Sequence, residues 1–246
     1  YIMRRTFPGG VHPPYFKKLT KNISIRKAKI PEQAIIPLSQ HTGAACEPTV
    51  SVGDEVKTGT LIGKSDKFIS SCVHSSISGK VTKIEPRPHP LLDNCNSVII
   101  DSDGKDEPGF KASGINIDAL TPQEIINIVR EAGVVGLGGA GFPTHVKLTP
   151  PKEKKIDTFI LNGAECEPYL SCDHRLMLER AQDIVKGALL IMKALSVKKG
   201  IIAIEDNKPD AIKTMRSTLN EIRDTRYEIR ITSLPAKYPQ GARNNS

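Results

Sequence analysis

The periodicity of this chain changes once, at Thr121, and the two sides of that point imply different kinds of domain. From Thr42 to Glu85, short β-prone runs are separated by turn residues. Thr49 to Gly63 alternates around Gly53-Asp54 and Thr58-Gly59, both hairpin-type turns, and Val73 to Ile84 repeats that texture. Two similar half-units of this kind predict a small β-sandwich. A proline-rich passage follows, with Pro86, Pro88 and Pro90, then a short strand over 97–100 and a polar stretch to Pro108. This reads as a linker or a set of long loops.

Past Thr121 the pattern is helix alternating with strand. Thr121-Pro122-Gln123-Glu124 combines an N-cap hydroxyl, a proline at the first helical position and a glutamate at the third, which together form a capping box. Ile125, Ile126, Ile128 and Val129 supply an apolar face at helical spacing, and Gly133 ends the helix. A buried strand is expected over 156–161. One long helix is expected over 173–195, with Ile184, Val185, Ala188, Leu189, Met192 and Leu195 turned inward. A strand at 200–204, a helix opened by Pro209 and running to about Ile222, and a strand at 227–232 complete the series. Alternation of this kind implies a mainly parallel sheet covered on both faces. The expected division is an N-terminal all-β region over residues 1–110, with its core about 35–100, and an α/β domain over 111–246.

Composition narrows the function classes. Two modest domains fit in 246 residues. The net charge of +8 suits anionic partners such as nucleotide phosphates, an acidic redox partner or a membrane face. Aromatics at 4%, with no Trp, argue against nucleic acid, because single-strand binders stack bases on aromatic platforms. The basic run from Lys152 to Lys155 is broken by Glu153 and reads as a solvated loop. The aliphatic run Ala188 to Met192 is far short of a bilayer span, and Arg4, Arg5 and Pro8 interrupt any secretory signal. A cytosolic location without membrane insertion is expected. The five cysteines have no CxxC spacing, so reduced, mostly structural thiols and no metal site are expected.

Two segments carry the chemistry. The first runs from Gly133 to Lys147, and its glycines at 136, 138, 139 and 141 allow positive φ and leave backbone N–H groups uncovered. Such a loop can wrap a phosphate as a nest, with Lys147 adding a charge-assisted contact, although tight turns and close helix packing also use glycine. It lacks the Gly-Lys-Ser/Thr of a Walker loop and does not directly follow a strand as a Rossmann fingerprint would. The second segment, Leu161 to Arg175, begins where a buried strand ends. Asn162, Glu165 and Glu167 therefore stand where ligands bind in open parallel sheets; the plainer alternative is a polar loop capping the next helix through Asp173. Glu165 and Glu167 as an acid/base pair, or Cys166 as a nucleophile between them, are weaker readings, because two neighbouring carboxylates raise a thiol pKa. His145 and His174 read as local hydrogen-bonding residues.

The V-G-D-E-V-K-x-G turn and the S-G-K-V run resemble the barrel-sandwich domains of biotinyl and lipoyl carriers. The matching tip, Lys64 to Ser71, has no Met beside Lys67, so a structural, docking role is expected rather than a swinging arm. The run G-L-G-G-A-G-F-P-T-x-x-K, followed by L-N-G-A-E-C-E-P and D-H-R, resembles the flavin-binding domain shared by the complex I flavoprotein and the RnfC component of Rnf electron-transport complexes. The opening Phe7 to Pro14, the barrel-sandwich stretch and Lys237 to Gly241 look specifically like RnfC.

That resemblance implies that Gly136, Gly138, Gly139, Gly141 and Lys147 hold the phosphate end of FMN, and that Asn162 and Glu165 line the flavin. It implies further that Glu167 lies where NADH approaches, and that Phe142 stacks on the dinucleotide. The chain would then be the FMN and NAD(H) module of an ion-translocating NAD(H):ferredoxin oxidoreductase, bound peripherally to other Rnf subunits at the cytoplasmic face of the membrane. Leu137 and Ala164 stand where complex I proteins have arginine and aspartate, so the dinucleotide contacts do not transfer whole. Two 4Fe–4S clusters are implied for the full-length RnfC but not for this chain, which reads as truncated and not active alone. The alternatives are a non-catalytic docking or assembly module, or an RnfC-like adaptor for a soluble reductase.

Overall fold

The computed structural model describes residues 9–110, 117–137, 140–151, 153–222 and 224–240. The chain forms two compact units. One is Ala28–Glu153; the other joins the described residues of Tyr1–Lys27 to those of Lys154–Ser246.

The first unit contains β1 (Gln33–Pro37), β2 (Glu47–Pro48), β3 (Glu55–Val56), β4 (Leu61–Lys64), β5 (Val73–His74), β6 (Gly79–His89) and β7 (Asp93–Ser102). They make two antiparallel sheets, ordered β1-β7-β6-β3 and β2-β4-β5. Ile36, Leu38, Ile62, Val81, Val98 and Ile100 fill the space between them and are almost wholly buried. Each such side chain contributes about 1.5–3 kcal/mol by leaving water. The barrel-sandwich expectation is met.

The proline-rich passage is not a linker. Pro86 pairs with Asn96 and Pro88 with Asn94 inside the long β6–β7 hairpin. Beyond Val81, no described strand other than β7 pairs with β6, so it is an edge strand there. Prolines two residues apart direct their missing donors to the same edge, and on a free edge the loss breaks no ladder bond.

Helix α1 (Pro122–Glu131) and the short α2 (Thr144–Lys147) also belong to this unit, so the compact units do not divide at 110/111. The capping box at Thr121 and Glu124 is formed as expected. Several contacts tie this segment to the sandwich. Arg130 Nη2 donates to the Lys67 carbonyl at 3.3 Å, and His145 Nε2 lies 2.9 Å from the Phe68 carbonyl. Gly133, at φ +70, packs so closely that a Cβ there would sit 2.3 Å from the Cys72 carbonyl oxygen. The loop that matches a carrier's lysine tip is thus where α1 and α2 dock.

The second unit contains β8 (Thr158–Gly163), α3 (Cys172–Glu179), α4 (Ala181–Ala194), β9 (Lys199–Glu205), α5 (Pro209–Ile222) and β10 (Glu228–Leu234). Its sheet is parallel, in the order β10-β9-β8, as the alternating pattern implies. The single helix expected over 173–195 is two helices. Arg180, at φ −132 and ψ 30, leaves the helical region, so that Met177 before the break and Ala181 and Val185 after it reach one core with Ile202, Ile204 and Met215. The segment before residue 28 joins this unit through Val11, which exchanges backbone hydrogen bonds with Tyr238 at 2.8 and 2.9 Å. No helix among the described residues is long and apolar enough to cross a membrane.

Candidate functional site

The glycine loop is the tip of a small hairpin. Val135 bridges Pro143, the Thr144 N–H donates to the Val134 carbonyl at 3.0 Å, and the Gly136 N–H donates to the Phe142 carbonyl at 3.0 Å. The pairing brings both ends of the loop together and hands the chain directly to α2, which carries Lys147. The Lys147 ammonium reaches back over Gly136, where a Cβ would lie only 2.8 Å from its nitrogen. Gly141 has φ +61, and a Cβ there would press on the Gln40 carbonyl oxygen at 3.2 Å. Gly138 and Gly139 lie outside the described residues. A pocket of about 640 Å³ opens beside the loop, with Gly136, Leu137, Ala140 and Gly141 on one side. Phe142, half-buried, and Lys147 are not among its walls.

Asn162, Glu165 and Glu167 stand where β8 ends, in the other unit. Asn162 is exposed and its Oδ1 accepts the Ala164 N–H at 3.0 Å. Glu165 is buried: its Oε1 accepts the Asp173 N–H at 2.8 Å, while Oε2 makes no hydrogen bond and lies 3.7 Å from Lys17 Nζ. Lys17 Nζ also donates to the carbonyls of Glu165 and Leu170, both at 2.6 Å. Behind it, buried Glu205 accepts the Glu165 N–H at 3.2 Å and pairs with Lys208 Nζ. Two ammonium groups and two carboxylates therefore neutralise each other under the strand ends. Burial lowers the Lys17 pKa, and the neighbouring Glu165 opposes that shift.

Glu167 is exposed, and its charge raises the Tyr238 phenol pKa. Phe16 and Tyr169, both at positive φ, stack with ring centres 5.0 Å apart. A second pocket, of about 520 Å³, is lined by Tyr15, Phe16, Lys18, His174 and Asn207 beside the two buried lysines. His174 is a local hydrogen-bonding residue as expected, its Nε2 2.8 Å from Asp210 Oδ1. Cys166 is buried, and the pKa of the Cys172 thiol is raised by burial and by Asp173. Glu165, Cys172 and Asp173 lie close enough to share a cation, but the Lys17 ammonium at the same carboxylate opposes one.

Lys17, Glu205 and Lys208 are the site residues that sequence reasoning missed. The available signal was a glutamate closing an otherwise apolar strand, Ile201 to Ile204, since a charge at the end of a buried strand requires a partner. Lys17 carried no comparable signal.

A barrel-sandwich unit, together with a glycine hairpin and a parallel sheet ending in an N-G-A-E-C-E-P loop, defines a chain of the flavin-domain class. The comparisons with known proteins agree: residues 5–105 match the RnfC barrel sandwich hybrid domain and residues 129–245 the Nuo51 FMN-binding domain. The chain is 50% identical over 242 residues to the C subunit of the proton-translocating ferredoxin:NAD(+) oxidoreductase complex of Clostridium ljungdahlii, covering 98% of this chain and 52% of that protein. It is 48% identical over 243 residues to the C subunit of the Na(+)-translocating complex of Acetobacterium woodii, covering 98% and 54%. The chain is similar to the RnfC family along nearly all of its own length and spans about half the length of the curated relatives it matches.

Proposed function

We propose that this chain is the FMN-bearing and NAD(H)-accepting part of an Rnf-type ferredoxin:NAD oxidoreductase, working with other subunits at the cytoplasmic face of the membrane. The observation that carries the reading is Lys147 held over Gly136, which leaves a cation and a Cβ-free backbone on the same side of one loop. That arrangement fits a phosphate monoester, because an ammonium stabilises its charge and a backbone without Cβ atoms lets it approach closely. Gly136, Gly141 and Lys147 would hold the FMN phosphate, with Gly138 and Gly139 completing the loop. A pocket of about 640 Å³ falls in the usual range for a cofactor of this size.

Asn162, Glu165 and Glu167 are assigned to the flavin ring and the dinucleotide. Glu165 is held there by the first turn of α3 through Oε1 and by the ion pair of its Oε2 with Lys17. Exposed Glu167 meets the incoming dinucleotide, and Phe142 offers a ring face to it. Bound FMN supplies hydride and single-electron chemistry; the protein's share is orientation and exclusion of competing reactions.

Titration of the chain with FMN, followed by flavin fluorescence, tests the reading. Saturable binding that Lys147→Ala weakens about tenfold is expected, the scale of one lost charge-assisted bond. Binding indifferent to Lys147 would remove the phosphate assignment. No binding by either the chain or the full-length RnfC would favour the docking-module alternative.

A further inference from the structure

The pocket beside the glycine loop is not built by that loop alone. Its opposite wall comes from the sandwich: Gln40 and Thr42 on the loop after β1, and His89 at the tip of the β6–β7 hairpin. The two walls are also bonded. Thr42 Oγ1 donates to the Ala140 carbonyl at 2.5 Å, and the Thr42 N–H donates to the Gly141 carbonyl at 3.1 Å. Gly141 passes so close to residues 40 and 41 that a Cβ would meet the Gln40 carbonyl oxygen at 3.2 Å and the His41 Cα at 3.3 Å.

The 39–45 segment is itself anchored to the sandwich. His41 Nε2 lies 2.9 Å from Ser70 Oγ, and Ser70 Oγ donates to the Ala44 carbonyl at 2.8 Å. The Ala44 N–H reaches the Ile69 carbonyl at 2.9 Å, and His89 Nε2 lies 3.0 Å from the Ser39 carbonyl. A loop tied at this many points is a rigid shelf, and rigid support is what a phosphate-binding backbone loop requires to keep its N–H groups convergent.

From this geometry we infer that the barrel sandwich forms part of the cofactor site, with Thr42 the positioning residue that sets the C-terminal half of the glycine loop. This rests on the FMN reading above. Thr42 acts through Ala140 and Gly141, so its influence falls on the phosphate end of a ligand and not on the ring. A sandwich domain attached only for docking onto other subunits would have no such influence.

The test uses the whole chain with Thr42→Val and Thr42→Ser, titrated with FMN and with riboflavin, which lacks the phosphate. Thr42→Val is expected to weaken FMN about fivefold, the scale of one hydrogen bond, while Thr42→Ser restores it and riboflavin binding is unchanged. Equal FMN affinity in wild type and Thr42→Val would overturn the inference and leave the FMN reading standing. If neither the wild-type chain nor the full-length RnfC binds FMN, the FMN reading fails instead. Amide hydrogen exchange then decides whether Thr42 sets the loop: faster exchange at Gly136 in Thr42→Val but not in Thr42→Ser supports it, and unchanged exchange overturns it.

Discussion

Lys17 and Glu165, 148 residues apart in sequence, meet under the ends of the parallel strands, where the lysine ammonium holds both the carbonyl of Glu165, at 2.6 Å, and its carboxylate, at 3.7 Å. Removing one member of a buried pair strands the other, whereas removing both can be nearly neutral. Lys17→Met is therefore expected to destabilise the chain by about 3 kcal/mol, at the low end for a buried pair because Lys208 remains nearby. The double variant Lys17→Met/Glu165→Gln should recover most of that loss. Urea unfolding of the two variants measures the coupling, and equal stabilities for Lys17→Met and wild type would show the pair to be inconsequential.

The segment ahead of residue 28 should be released by acid. Glu179 accepts the Ile25 N–H at 3.1 and 3.2 Å, and its pKa is lowered, chiefly by the hydrogen bond from Arg175 and also by that from Ile25. A carboxylate whose folded pKa is depressed contributes stability above its unfolded pKa and loses it as pH falls through the folded value. Exchange of the Ile25 amide, corrected for the intrinsic rate, should accelerate as pH drops below the ordinary glutamate range. In Glu179→Gln that step should vanish; a step of the same size in the variant would point to another group.

Gly133→Ala tests how α1 is seated on the sandwich. The position combines φ +70 with a Cβ location 2.3 Å from the Cys72 carbonyl oxygen, so the substitution strains the helix end and the contact at once. A loss of more than about 1 kcal/mol is expected from a side chain placed where positive φ is required. A urea midpoint unchanged from wild type would mean that α1 can separate from the sandwich without cost.

Glu167 should be detectable through Tyr238. The carboxylate's charge is the main cause of the raised phenol pKa, so Glu167→Gln lets Tyr238 ionise at lower pH than in the wild type. Ultraviolet tyrosinate titration of the two proteins, with Tyr238→Phe to identify the signal, gives the direction. A midpoint that does not fall in Glu167→Gln would separate these residues in solution.

The local features of the fold were legible in the sequence because each depends on a few adjacent residues. The capping box at Thr121 and Glu124 formed as written, the alternation over 49–84 made a sandwich, and the strand-helix series past residue 156 made a parallel sheet. The glycine and N-G-A-E-C-E-P motifs were legible too, since their chemistry lies in residue type and spacing.

What tertiary structure decided involves partners distant along the chain. Pro86 and Pro88 read locally as loop, yet they sit in a strand because its far edge is free. The 173–195 run has unbroken helical spacing, yet it breaks at Arg180 so that Met177 and Val185 can enter the same core. The glycine loop's attachment to Thr42 and the burial of Lys17 against Glu165 have no local signature at all. Sequence by itself determined the backbone preferences and the chemical inventory, which are properties of neighbouring residues. Only the tertiary structure decided which surfaces are buried together, because burial creates the need for a charge partner or a close backbone approach, and it acts between segments the chain brings together only on folding.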